Sequence, residues 1–260
     1  MSKVMKSSAF VSKAKKIAKD YKTLYVLGCF GAPMNTANKK RYTSNNTYNA
    51  SAARKKKINS ATADTFGFDC VCLIKGILWG WNGDKNATYG GAKYCANGVP
   101  DFGSNEIMKY CTGVSKNFKK IEVGEIVHMD GHVGIYIGDG LAVECTPIWK
   151  DGVQITAVGN IGKKKGYNTR TWVNHGKLNY IDYTTPAPTP KVKYYPKYTG
   201  KSNSLVDALK EMGIDSSFKH RKKIAGANGI KEILYIGTAK QNTKLLTLLK
   251  QGKCIKPAGE

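Results

Sequence analysis

Along the first 180 residues the apolar positions change from a helical period to an alternating one. Residues 8–20 (SAFVSKAKKIAKD) set Phe10, Val11, Ala14, Ile17 and Ala18 on one face, which predicts an opening helix. Residues 35–64 hold Asn, Lys, Thr and Ser in place of a stripe and read as a long polar surface insertion. A dense apolar run at 70–79 (CVCLIKGILW) follows Gly67-Phe68-Asp69. Asp69 has the short carboxylate that caps a helix N-terminus, so the run reads as a buried helix starting at Cys70.

After residue 121 the pattern becomes short, β-branched and strand-like. Strands are expected at 125–129, 133–137, 141–145, 152–156 and 176–181, with Gly138-Asp139-Gly140 closing a tight hairpin. Helices first and an antiparallel meander afterwards make an α+β domain. Pro186, Pro188, Pro190 and Pro196 then punctuate an extended, amide-poor stretch. The expected division is a catalytic domain over 1–183, a proline-rich linker over 184–198 and a small all-α domain over 199–260. In the tail, Leu205, Val206, Leu209 and Met212 form one stripe. Ser217 and Thr238 are placed to cap two further helices. Each is short enough to need packing against its neighbours.

Charge adds a partner class. Lys and Arg total 42 against 18 acids, a net charge of +24. Residues 186–260 alone carry 15 bases and 5 acids. Such a field favours polyanions, among them an anionic cell wall. Nucleic acid is not the expected partner, because no helix-turn-helix, zinc-finger or RNA-recognition signature is present. No apolar stretch reaches membrane-spanning length, and the basic N-terminus lacks the apolar core of a secretory signal. The expectation is a cytoplasmic protein without membrane insertion.

Seven cysteines at irregular spacing do not form a disulfide framework, and Cys70-x-Cys72 is not a zinc or redox pair. His128, His132, His175 and His220 show no ligand spacing, so no metal or cofactor is expected. The residues with chemistry are Cys70, His132 and Glu144. A thiol at a helix N-terminus is favoured as thiolate by the free amides and the dipole. His132 opens a strand, and Glu144 lies on its hairpin partner, roughly opposite and within cross-strand reach. A carboxylate there orients an imidazole. His128 flanks the same turn and is the alternative base.

The strings Gly67-Phe68-Asp69-Cys70, Gly131-His132-Val133-Gly134-Ile135-Tyr136-Ile137-Gly138-Asp139-Gly140 and Val143-Glu144 resemble the NlpC family of cell-wall cysteine peptidases. Tyr25-Val26-Leu27-Gly28 is similar to that family's tyrosine segment, and the likeness spans roughly residues 10–160. It implies a papain-like core with an antiparallel sheet and hydrolysis of an amide in the peptidoglycan stem. It further implies Cys70 as nucleophile, His132 as base, Glu144 as third residue and Tyr25 near the oxyanion. Val71-Cys72 stands where the family usually has Ser-Gly, and Glu144 where it has His, Asn or Gln. Endopeptidase and N-acetylmuramoyl-L-alanine amidase therefore both remain open. The tail resembles helical modules of clostridial and phage wall hydrolases, implying peptidoglycan and its anionic polymers as partners. Together these resemblances imply an endolysin-like enzyme, expected in the host cytoplasm until lysis and then at the cell wall. Two rivals stand beside it: a non-catalytic wall-binding protein and a basic nucleic-acid-binding protein.

Overall fold

The computed structural model describes residues 3–184 and 193–257. The chain divides into two compact units, Met1–Pro188 and Thr189–Glu260. The prolines at 186, 188 and 190 lie outside the described residues.

The first unit mixes helices and sheets. It opens with β1 (Met5–Lys6), α1 (Ser7–Asp20), β2 (Thr23–Tyr25) and β3 (Phe30–Pro33). Three helices follow, α2 (Thr36–Ser44), α3 (Thr47–Ala50) and α4 (Ala52–Ser60). The polar insertion is thus helical rather than irregular. Asn35 and Asn46 cap α2 and α3 by accepting the amides of Asn38 and Asn49. Next come β4 (Phe66–Phe68) and α5 (Cys70–Leu78), every residue of which is buried. Burying Ile74, Ile77 and Leu78 stabilises the unit by about 2 kcal/mol each.

The meander follows as β5 (Cys111–Ser115), β6 (Ile126–Met129), β7 (His132–Gly138), β8 (Leu141–Thr146), β9 (Gly152–Val158), β10 (Thr169–Arg170), β11 (Asn174–Leu178) and β12 (Ile181–Asp182). Seven strands form one sheet in the order β10-β9-β8-β7-β6-β11-β5. The β7–β8 hairpin turns on Gly138, Asp139 and Gly140, all at positive φ, a conformation in which glycine carries no Cβ penalty. The strand expected over 176–181 is broken. β11 shifts register between His175 and Lys177, and Ile181–Asp182 leave it to pair in parallel with β1.

A second sheet, β2-β4-β3, was not foreseen; its β2–β4 pair is parallel. On β7 the side chains alternate. Val133, Ile135 and Ile137 pack into the core shared with α5, whereas Tyr136 joins Trp172 and Ala142 on the other face. Asp151, just before β9, accepts Arg54 and Lys57 of α4 at 2.5 and 2.7 Å, fastening the insertion to the sheet.

The second unit holds α6 (Leu205–Glu211), α7 (Phe218–Ala227) and α8 (Ala239–Lys250). Ser204, Ser217 and Thr238 cap them, Thr238 in a reciprocal capping box with Gln241. Leu205, Leu209, Ile224, Leu245 and Leu249 fill the core. Tyr195 and Tyr198 are buried there too, and their amides donate to Cys254 and Leu249 carbonyls. The chain from 193 to 198 is therefore part of this fold and not of an extended linker. Among the described residues, no helix is long and apolar enough to cross a membrane.

Candidate active site

Cys70 is the first residue of α5, so its side chain sits at the end of the helix where amides have no helical partner. Asp69 organises that end. One carboxylate oxygen accepts the Cys72 amide at 2.7 Å, and the other accepts the Gly28 amide at 2.7 Å. The Cys70 thiol is directed to the Gly131 carbonyl at 3.9 Å. Burial, and after it the Asp69 carboxylate, push this thiol up to about 12, while the Val133 and Val71 amides pull the other way. Cys72 is buried and hydrogen-bonded to Asp69, and burial, then the Asp69 carboxylate, raise its thiol well above the ordinary range.

His132 starts β7. Its Nε2 meets Glu144 Oε2 at 2.7 Å. Glu144 is fully buried, and its two oxygens also accept Arg170 Nε at 2.7 Å and Thr156 Oγ1 at 2.6 Å. The guanidinium balances the carboxylate, the condition under which a buried charge is tolerated. Trp172 stacks on the imidazole at 5.5 Å with an interplanar angle of 8°. Arg170 lies over Trp149 at 4.9 Å and over Trp172 at 5.6 Å. With Nε2 engaged by Glu144, Nδ1 is the ring nitrogen left to receive a proton.

The register differs from the expectation in one respect. Glu144 pairs with Gly134 rather than with His132, and it reaches the ring diagonally. His132 also belongs to the face opposite the one that α5 covers. Cys70 approaches from the end of the strand, and thiol and imidazole are not hydrogen-bonded to each other.

The turn carrying His132 is clamped by a residue that sequence reasoning missed. Asn105 Oδ1 accepts the Gly131 amide at 2.7 Å, and its Nδ2 donates to Asp130 at 2.8 Å. The same oxygen lies 3.1 Å from His128 Nε2. His128 Nδ1 is 3.0 Å from Asn174. The His128 ring thus braces the turn through the side chains of Asn105 and Asn174. His175 is buried against Glu125, and His220 meets the Tyr195 hydroxyl at 3.1 Å.

Tyr25, paired with Phe68 across β2 and β4, lines the same cleft of about 370 Å³ as Cys70, Asp69, Lys75 and Gly131. Its hydroxyl is held well above the ordinary phenol range by burial and then by Asp69 and Cys70, so it stays a donor. Its carbonyl accepts Arg54 of the insertion. Among the described residues, no three His, Cys, Asp or Glu side chains converge as a metal ion requires. Arg170, Thr156 and Trp172 also escaped the sequence reading; no local motif marks them, since sheet pairing brings them in from 12 to 40 residues away along the chain.

No known family model matches the chain. It is 51% identical over 92 residues to the L-alanyl-D-glutamate peptidase of Listeria phage A118. That match covers 33% of this chain and 32% of the phage protein, so the chain spans about a third of the length of its curated relative.

Proposed function

We propose that this protein is a phage-type peptidoglycan hydrolase that cleaves an amide of the peptide stem through Cys70, His132 and Glu144. The carrying observation is the buried Glu144 carboxylate fixed on His132 by Arg170 and Thr156, at the strand end that Cys70 faces. The phage relative's name supports a stem bond, and L-alanyl–D-glutamate is the bond we favour over the amidase alternative. An NlpC-type, papain-like arrangement is part of the same reading.

In the proposed reaction His132 Nδ1 takes the Cys70 proton as sulfur attacks the scissile carbonyl carbon. The oxyanion is steadied by the Cys70 amide and the Tyr25 hydroxyl. Collapse breaks the C–N bond, and imidazolium returns the proton to the leaving amine. His132 then deprotonates a water that opens the thioester, releasing a carboxylate and restoring the thiol. Glu144 orients the ring and stabilises its charged form throughout. The helical second unit is assigned to wall binding, with peptidoglycan and its anionic polymers as partners, and action follows release from the host cytoplasm.

Mass spectrometry of digested peptidoglycan tests this, since the new termini name the bond. Release by the intact chain and its loss in Cys70→Ser are expected; undiminished release by Cys70→Ser would sink the assignment. The absence of a Cys70–His132 hydrogen bond favours one second reading, a wall-binding protein with an idle catalytic fold. Loss of turbidity in a wall suspension excludes it.

A further inference from the structure

A second pocket adjoins the Cys70 cleft, and the two share Leu27, Gly28, Phe30, Asn46 and Tyr94 as a common wall. Its far side is built by the insertion and carries one charged residue, Arg41 of α2. The guanidinium is held from below. Nη1 donates to the Tyr89 hydroxyl at 2.9 Å, and the guanidinium carbon stands 5.4 Å from the Tyr89 ring centroid. Tyr89 in turn packs on Phe30 at 4.5 Å. No acid lines the pocket, and Arg41 takes no part in any ion pair among the described residues. Asn46 spends its Oδ1 on the Asn49 amide, which leaves its Nδ2 as a second donor.

An arginine tethered to an aromatic ring, beside amide donors and without a carboxylate partner, has the chemistry of a carboxylate receptor. We propose that Arg41, with Asn46, forms a subsite that binds a free carboxylate on the residue next to the scissile amide. This rests on the hydrolase reading. Within that reading the ligand is the side carboxyl of the glutamyl residue in the stem, which walls present either free or amidated. The free acid accepts a bidentate guanidinium, and the amide does not.

The test uses the full chain on two peptidoglycans that differ only in amidation of that glutamyl carboxyl, with release of new amino termini as readout. The ratio of kcat/KM on acid to amide is compared in the wild type, Arg41→Gln and Arg41→Lys. The wild type is expected to favour the acid by roughly tenfold or more, the worth of one charge-assisted hydrogen bond. Arg41→Gln brings the ratio to about one, and Arg41→Lys restores part of it. Because each ratio is internal to one preparation, partial misfolding cancels. Equal rates on both walls in the wild type, or an undiminished ratio in Arg41→Gln, overturns the subsite alone. Cleavage of neither wall overturns the hydrolase reading and the subsite together.

Discussion

Glu144 faces Gly134 across the β7–β8 ladder and grips the imidazole of His132 from one diagonal away. The absent side chain makes this possible. A Cβ on Gly134 would stand 3.0 Å from the Val143 carbonyl and 3.1 Å from the Trp172 ring that stacks on His132. Gly134→Ala is expected to displace Trp172 by a few tenths of an ångström and loosen the ring. Activity falls about tenfold, within the range that small misplacements of catalytic groups cost. Steady-state kinetics with a circular dichroism control check this; unchanged kcat would show that Trp172 does not position His132.

Glu144→Ala removes the charge that balances Arg170 and leaves a buried guanidinium uncompensated. The expected loss of stability is about 3–5 kcal/mol, with activity abolished. Glu144→Gln keeps the volume and a carbonyl acceptor, so it retains more stability than Glu144→Ala but little activity. Denaturant titration separates the two; equal stability of both variants would mean that the volume and carbonyl acceptor kept by Glu144→Gln give Arg170 no support.

Asn105→Ala frees the Asp130–Gly131 turn and the His128 ring from their shared anchor. Turnover is expected to fall about tenfold with little change in KM, because the loss is one of geometry between Cys70 and His132. Asn105→Asp keeps the acceptor for Gly131 but meets Asp130 with like charge, so its defect worsens as pH rises through the ordinary carboxylate range. A flat pH dependence for that variant would contradict the clamp.

Buried thiols give the fold an alkaline limit. Burial pushes Cys29 up to about 11, and Cys70 and Cys111 up to about 12. Below pH ~8.5 folded and unfolded chains both keep these protons. Above it the unfolded chain releases protons that the fold retains, so stability is lost as pH climbs toward 11–12, by at most about 1.4 kcal/mol per pH unit for each thiol. Thermal melts of the full chain are expected to show Tm falling from pH 9 to 11. Cys29→Ala and Cys111→Ala should flatten that slope, and an unaltered slope in the double variant would exclude these two thiols as its cause.

What the sequence disclosed followed the range of the interactions. Asp69 capping α5 and the Gly138–Gly140 hairpin are local, and both could be read from a few consecutive residues. The Ser217 and Thr238 caps of the second unit are equally local. The insertion hid its helices because α2 and α4 have almost no apolar stripe; only Asn35 and Asn46 marked the starts of α2 and α3. Strands β2, β3 and β4 are three or four residues long, too short for alternation to show. Arg170, Trp172 and Asn105 reach the site through sheet pairing and a distant loop, which no short window of sequence reports.

The carboxylate of Asp151 fastens α4 to the sheet through Arg54 and Lys57, and Arg54 also bonds the Tyr25 carbonyl. Asn49 of α3 also exchanges hydrogen bonds with the Leu27 backbone, and Asn38 of α2 donates to the Pro33 and Thr88 carbonyls. The wall carrying Arg41 is thus fastened at a few points, while Cys70, His132 and Glu144 stand on other elements. Such a wall behaves as an interchangeable cassette. Under the proposed function, substitutions between these anchors would alter which stems are admitted without touching Cys70, His132 or Glu144.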